Sequence, residues 1–94
     1  MIRSYRDSDT AGLAAGERVR KWEPLRLQAE KRLRVLDSAT SLGDLASLNS
    51  NRLESLKGDR KGQHSIRINA QWRICFRWAK DESGPSSVEI VDYH

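Results

Sequence analysis

Asp92, Tyr93 and His94 stand in immediate succession, and only one other histidine, His64, occurs in the sequence. A carboxylate, a phenol and imidazoles beside a supply of guanidinium groups match what metal-free cleavage of an RNA backbone needs. A base must take the 2′-hydroxyl proton, a cation must stabilise the extra negative charge on the phosphorane, and an acid must protonate the departing 5′-oxygen. Histidine suits the first and last tasks because its pKa lies near neutrality. Arginine suits the second because its fork matches phosphate oxygens and its charge is permanent. A terminal carboxylate beside His94 favours the protonated ring. His94 therefore reads as the proton donor, with Asp92 or His64 as the acceptor, Arg67 and Arg73 as phosphate ligands, and Tyr93 as a base-stacking ring. Each also has a plain structural reading: His64 as a surface imidazole, His94 as a fraying end, Tyr93 as a sheet-edge ring, and Asp92 as a turn cap.

The distribution of charge supports a polyanionic partner. Residues 51–80 hold eight Lys/Arg against two acids, a surplus of six positive charges, whereas the rest of the chain carries two more acids than bases. Such concentration is expected of a protein that docks on nucleic acid. Lys57, Arg60, Lys61 and Arg77, with the separate run Arg18, Arg20 and Lys21, are candidates for contacts to RNA. The single cysteine, Cys75, forms no intramolecular disulfide, and no Cys/His cluster has metal-ligand spacing. No metal or cofactor is expected. The N-terminal residues lack an apolar h-region and no run reaches membrane-spanning length, so the expectation is a cytoplasmic protein.

The elements that must position these groups follow from periodicity. Ninety-four residues make one domain with one modest core. Ile2–Tyr5 reads as a short strand. Residues 7–22 contain two glycines and several alanines without strong periodicity, and are expected to form a mobile loop or frayed helix, with 10–24 the least ordered part. Pro24 sits where a first helical residue is favoured, and Leu25, Ala29, Leu33 and Leu36 make one apolar stripe, predicting a helix over about 24–40. Ser41 and Asp44 resemble a capping box opening a short second helix.

Beyond Asn51 the period changes to two. Residues 53–57 give a moderate strand signal, and Ile66 and Ile68 share a face with Ser65 and Arg67 opposite. Trp72, Ile74, Phe76 and Trp78 alternate with Arg73, Cys75 and Arg77. Residues 88–91 form a last strand. Short connections imply antiparallel pairing. The expected fold is α+β, a two-layer domain in which an N-terminal strand and one or two helices pack on a mainly antiparallel sheet of four to five strands. Arg67, Arg73 and Arg77 line the face turned away from the helices, and His64 approaches the end of that face if its strand neighbours the last one.

The stretch from Asn51 to Phe76, with its Ser-Ile-Arg-Ile-Asn-x-Gln-Trp-Arg string, resembles the HigB branch of the RelE-like toxins, as do Ile2–Tyr5 and the ending Val88–His94. The resemblance spans nearly the whole chain and is weakest over 10–24. It implies the RelE-like fold and a type II toxin that enters the ribosomal A site and cuts mRNA there without a metal. It implies a helix-turn-helix antitoxin of the HigA type that neutralises the toxin, operator DNA being contacted only through the complex. Catalytic positions implied by the resemblance fall on His64, Asp92, Tyr93 and His94, with Arg67 and Arg73 around them. The alternative is a non-catalytic basic RNA-binding module. A DNA-binding protein is disfavoured because no basic recognition helix follows a short turn.

Overall fold

The computed structural model describes residues 1–92. Asp7 opens the first helix: its backbone is extended, and its carboxylate accepts from the Thr10 amide at 2.7 Å, satisfying a donor that every helix start leaves without an intrahelical partner. Helix α1 then spans Ser8–Ala14 and buries Thr10 and Leu13. A 3-10 helix at Arg20–Leu25 runs into α2, Arg26–Ser38. Pro24 lies inside the 3-10 segment, so α2 begins two residues later than the proline suggests and ends two residues sooner, where Ala39 turns extended. The predicted stripe is its buried face, with Leu25, Ala29, Leu33 and Leu36 at most 6% exposed. Helix α3, Leu42–Ala46, is capped by the Ser41 hydroxyl, which accepts from the Asp44 amide. The Asp44 carboxylate reaches back to the amide and hydroxyl of Thr40, at 2.8 and 2.6 Å, and these bonds hold its pKa below the usual range.

Four strands follow: β1 (Glu54–Ser55), β2 (Gln63–Arg67), β3 (Trp72–Arg77) and β4 (Ser86–Asp92). They form one antiparallel sheet in chain order. The turn between β2 and β3 is set by Asn69, whose side-chain oxygen accepts from the amides of Gln71 and Trp72, both at 2.8 Å. Gly62, at φ 91°, supplies the left-handed residue that starts β2.

The outer edge of β4 is covered by the opening of the chain. Residues 2–5 form no full strand, but Tyr5 bridges Val88 in parallel. The amides of Arg3 and Arg6 donate to Pro85 and Val88, and the Val88 amide donates to Ser4. One step on, the Ile90 amide donates to the Thr10 hydroxyl at 3.2 Å. Thus α1, in a stretch whose composition favours a loop, is tied to the last strand.

The helices cover one face of the sheet. Ile66, Ile74, Phe76, Val88 and Ile90 meet Leu13, Leu25, Ala29, Leu33 and Leu36 in a single core cluster. Each fully buried large side chain contributes about 1.5–3 kcal/mol. Among the described residues no helix is long and apolar enough to cross a membrane.

Candidate active site

The register of the sheet decides which side chains share a face. Gln63 pairs with Arg77, Ser65 with Cys75 and Arg67 with Arg73. These residues occupy the face away from the helices, as their alternation with Ile66, Ile74 and Phe76 requires. Glu54 pairs with Ser65 and joins the same face. Arg67 is its diagonal neighbour, a separation typically about 7–8 Å between strands.

At the Arg67–Arg73 end of this face lies a cleft of about 280 Å³ lined by Arg52, Glu54, Arg67, Asn69, Ala70 and Arg73. Two arginines directly opposite one another repel, and the local structure shows how the pair is accommodated. Arg73 is only 8% exposed. Its Nε donates to the Ser65 hydroxyl at 2.7 Å, and Nη2 donates to the Ser65 and Arg52 carbonyls. The clamped Arg52 has left-handed backbone, φ 48° and ψ 50°, a conformation that costs a non-glycine residue about 1–3 kcal/mol unless its surroundings hold it. Asn51, just before it, is 1% exposed and fixed on both sides. It accepts from Arg32 Nη1 at 2.7 Å and donates to the Leu45 carbonyl at 3.0 Å. Arg73 thus builds the floor of the cleft, while exposed Arg52 and half-buried Arg67 line its opening.

The expectation that His64 reaches this end of the cationic face requires correction. His64 pairs with Phe76 and Ser55, so it has the parity of Ile66 and belongs to the helix-facing side. It stands three rows from Arg67, on the order of 10 Å along the strand. Nor are β2 and β4 neighbours, because β3 lies between them. Antiparallel order sends the end of β4 to Trp72, the opposite end of the sheet from His64. The His64 ring lies 6.0 Å from that of Phe76 and its Nδ1 is 3.2 Å from the Ser55 hydroxyl. Burial pushes its pKa down.

Asp92 does reach the arginine end, one row beyond Arg73–Val91, although its pairing with Trp72 gives it the other parity. The Gln71 amide donates to its Oδ2 at 3.0 Å. Tyr93 and His94 lie outside the described residues. Of the further cations, Arg77, Lys57 and Lys61 are exposed, whereas Arg60 bonds Gln63 and Glu89. Glu89 takes a second arginine, Arg6, at 3.3 Å. Beneath this cluster Cys75 is wholly buried, and burial pushes its thiol pKa up. Arg18 pairs with Glu23, and Lys21 with Asp9 while lying over the Trp22 ring; Arg20 is exposed at the start of the 3-10 helix. Two of the three cations in the 18–21 run are therefore paired with carboxylates. Sequence reasoning missed Arg52, Glu54 and Asn69 as cleft residues. The signal that could have found Glu54, and Arg52 beside it, is the hairpin pairing of residues 54–55 with 64–65.

A family model described as the RelE-like toxin of type II toxin–antitoxin system HigB matches residues 3–94. The protein named Endoribonuclease HigB from Proteus vulgaris is 40% identical over 63 residues, covering 67% of this chain and 65% of that protein. Toxin HigB-1 from Vibrio cholerae serotype O1 is 44% identical over 48 residues, 51% of this chain and 50% of that protein. The matched stretches thus span about half to two thirds of the length of these relatives. Among solved structures, a YoeB/ParE toxin from Agrobacterium tumefaciens overlaps loosely, with a TM-score of 0.37 and 23% identity over 78% of this chain and 89% of that one.

Proposed function

Since the chain belongs to the HigB family of RelE-like toxins of type II toxin–antitoxin systems, we propose that it is a metal-independent endoribonuclease that cuts mRNA in the ribosomal A site and so arrests translation. The observation that carries this reading is the cleft in which Arg52, Arg67 and Arg73 converge at the end of the sheet where β4 reaches Asp92. Arg52 and Arg67 hold the scissile phosphate, and Arg73 fixes the backbone beneath them. His94 donates the proton to the departing 5′-oxygen, and Tyr93 stacks on a base. Asp92 remains a candidate acceptor. His64 drops out of that role because its strand position faces the helices. Arg20, Lys57, Lys61 and Arg77 contact ribosomal RNA, with Arg18, Lys21 and Arg60 joining if their carboxylate partners release them. A HigA-type helix-turn-helix antitoxin neutralises the toxin, and operator DNA is reached only through that complex.

Purified protein added to mRNA-programmed ribosomes in excess EDTA tests the reading. Cleavage of A-site mRNA to a 2′,3′-cyclic phosphate end is expected. Binding of ribosomes with intact mRNA would instead identify a non-catalytic RNA-binding module.

A further inference from the structure

Among the described residues, Glu54 is the one acid that lines the three-arginine cleft, and an acid there is costly. A carboxylate beside a bound phosphate repels it, so its presence weakens substrate binding unless the group acts during the reaction. Glu54 also differs from the other acids near cations. Asp9, Glu23, Glu30, Glu82 and Glu89 each pair with a cation within 4 Å. Glu54 makes no such pair among the described residues, although three guanidinium groups share its cleft. Arg73 turns donors toward Ser65 and the Arg52 carbonyl. Glu54 is exposed on a two-residue strand, with its side chain on the arginine face through its pairing with Ser65.

The competing acceptors are worse placed. His64 sits at the far end of the sheet on the helix-facing side. Asp92 has the parity of the helix-facing side and carries the Gln71 amide on one oxygen. We infer that Glu54 is the catalytic base of the cleft, taking the 2′-hydroxyl proton of the ribonucleotide whose 3′-phosphate lies against Arg52 and Arg67. This inference rests on the ribonuclease reading above. As a Glu54 oxygen accepts the proton, the 2′-oxygen forms a bond to phosphorus and the bond from phosphorus to the 5′-oxygen breaks. The electron pair leaves on that oxygen, which takes a proton from the donor assigned to His94. The products are a 2′,3′-cyclic phosphate and a free 5′-hydroxyl, with no oxidant, reductant or metal consumed. An ionised carboxylate is acceptor-only, which suits it to the first proton transfer and not to the last.

The test is single-turnover cleavage of A-site mRNA on programmed ribosomes as a function of pH, using the full chain. Glu54→Gln should slow cleavage by about 100- to 10,000-fold, the range for loss of a positioned base, and abolish the acidic limb of the pH–rate profile. It should bind ribosomes at least as tightly as the parent. Glu54→Ala should regain rate on addition of formate, which a purely structural role would not allow. Because Glu54 is exposed, the variants should unfold at the parent's temperature, which calorimetry checks. A parent that cleaves while Glu54→Gln keeps its rate and acidic limb, or formate without effect on Glu54→Ala, overturns the assignment of Glu54 alone. A parent that leaves the mRNA intact overturns the ribonuclease reading and this inference with it.

Discussion

Replacing Thr10 by valine tests the link between α1 and the sheet. The two side chains have nearly the same shape, so packing is conserved and only the hydroxyl is lost. That hydroxyl is wholly buried, donates to Asp7 Oδ2 at 3.1 Å and accepts from the Ile90 amide at 3.2 Å. In Thr10→Val the Ile90 amide keeps its place on the covered edge of β4 with no acceptor. A buried donor left unsatisfied costs about 1–3 kcal/mol. For a domain of this size each kcal/mol lowers Tm by roughly 4–8 °C, so a central loss of about 2 kcal/mol corresponds to roughly 8–16 °C. Thr10→Ser keeps the hydroxyl and gives up one buried methyl, at about 1 kcal/mol. Urea titration followed by tryptophan fluorescence, with the slope unchanged, should rank parent above Thr10→Ser above Thr10→Val. A valine variant as stable as the parent, or more stable than the serine variant, would refute the idea that this hydroxyl closes the edge of β4.

Four further outcomes are expected. Asn51→Ala removes the side chain between Arg32 and the Leu45 carbonyl and should cost about 2 kcal/mol in the same titration. Arg73→Met should cost a similar amount by releasing Ser65 and the Arg52 carbonyl, and should abolish mRNA cleavage even where the protein remains folded by circular dichroism. Arg67→Ala should lower the salt dependence of binding to single-stranded RNA by about 0.7 in log–log slope, the loss of one phosphate contact, measured by fluorescence anisotropy. Burial lowers the His64 pKa below 6.5, so below that pH the unfolded chain takes up a proton that the folded ring resists. Its contribution to stability is complete above about pH 6.5 and is lost as pH falls toward the folded value. His64→Phe should therefore lose less Tm between pH 7.5 and 5.5 than the parent, by calorimetry at the two pH values.

Much of this architecture was legible from alternation. The parity of residues 65–77 placed Arg67, Arg73 and Arg77 on one face, and the spacing of Leu25, Ala29, Leu33 and Leu36 gave the covering helix. The parity rule also contained the answer for His64, which shares its face with Ile66 and not with Arg67. Chemical suitability outweighed that geometry, and antiparallel order then set His64 at the wrong end. Helix α1 was hidden because its seven residues, with Gly12 among them, are too few to show a clear apolar period; the signal was the local Asp7–Thr10 cap. The hairpin pairing of β1 with β2 places Glu54, but the conformation of Arg52 was illegible for a deeper reason. The left-handed backbone at Arg52 is held by Arg73, 21 residues away, and no local preference encodes a contact of that range.

The seam between the opening residues and β4 also bears on how the toxin is made. Thr10 and Ile90 are separated by 80 residues, and closing so long a loop is entropically slow compared with forming the nearby hairpins. During translation, a nascent chain can build α2 and the β2–β3 hairpin while its first ten residues still wait for a partner. That wait ends only when the residues through Ile90 have been synthesised. The sealed edge of β4 therefore arrives late in synthesis, after α2 and the β2–β3 hairpin have had time to form.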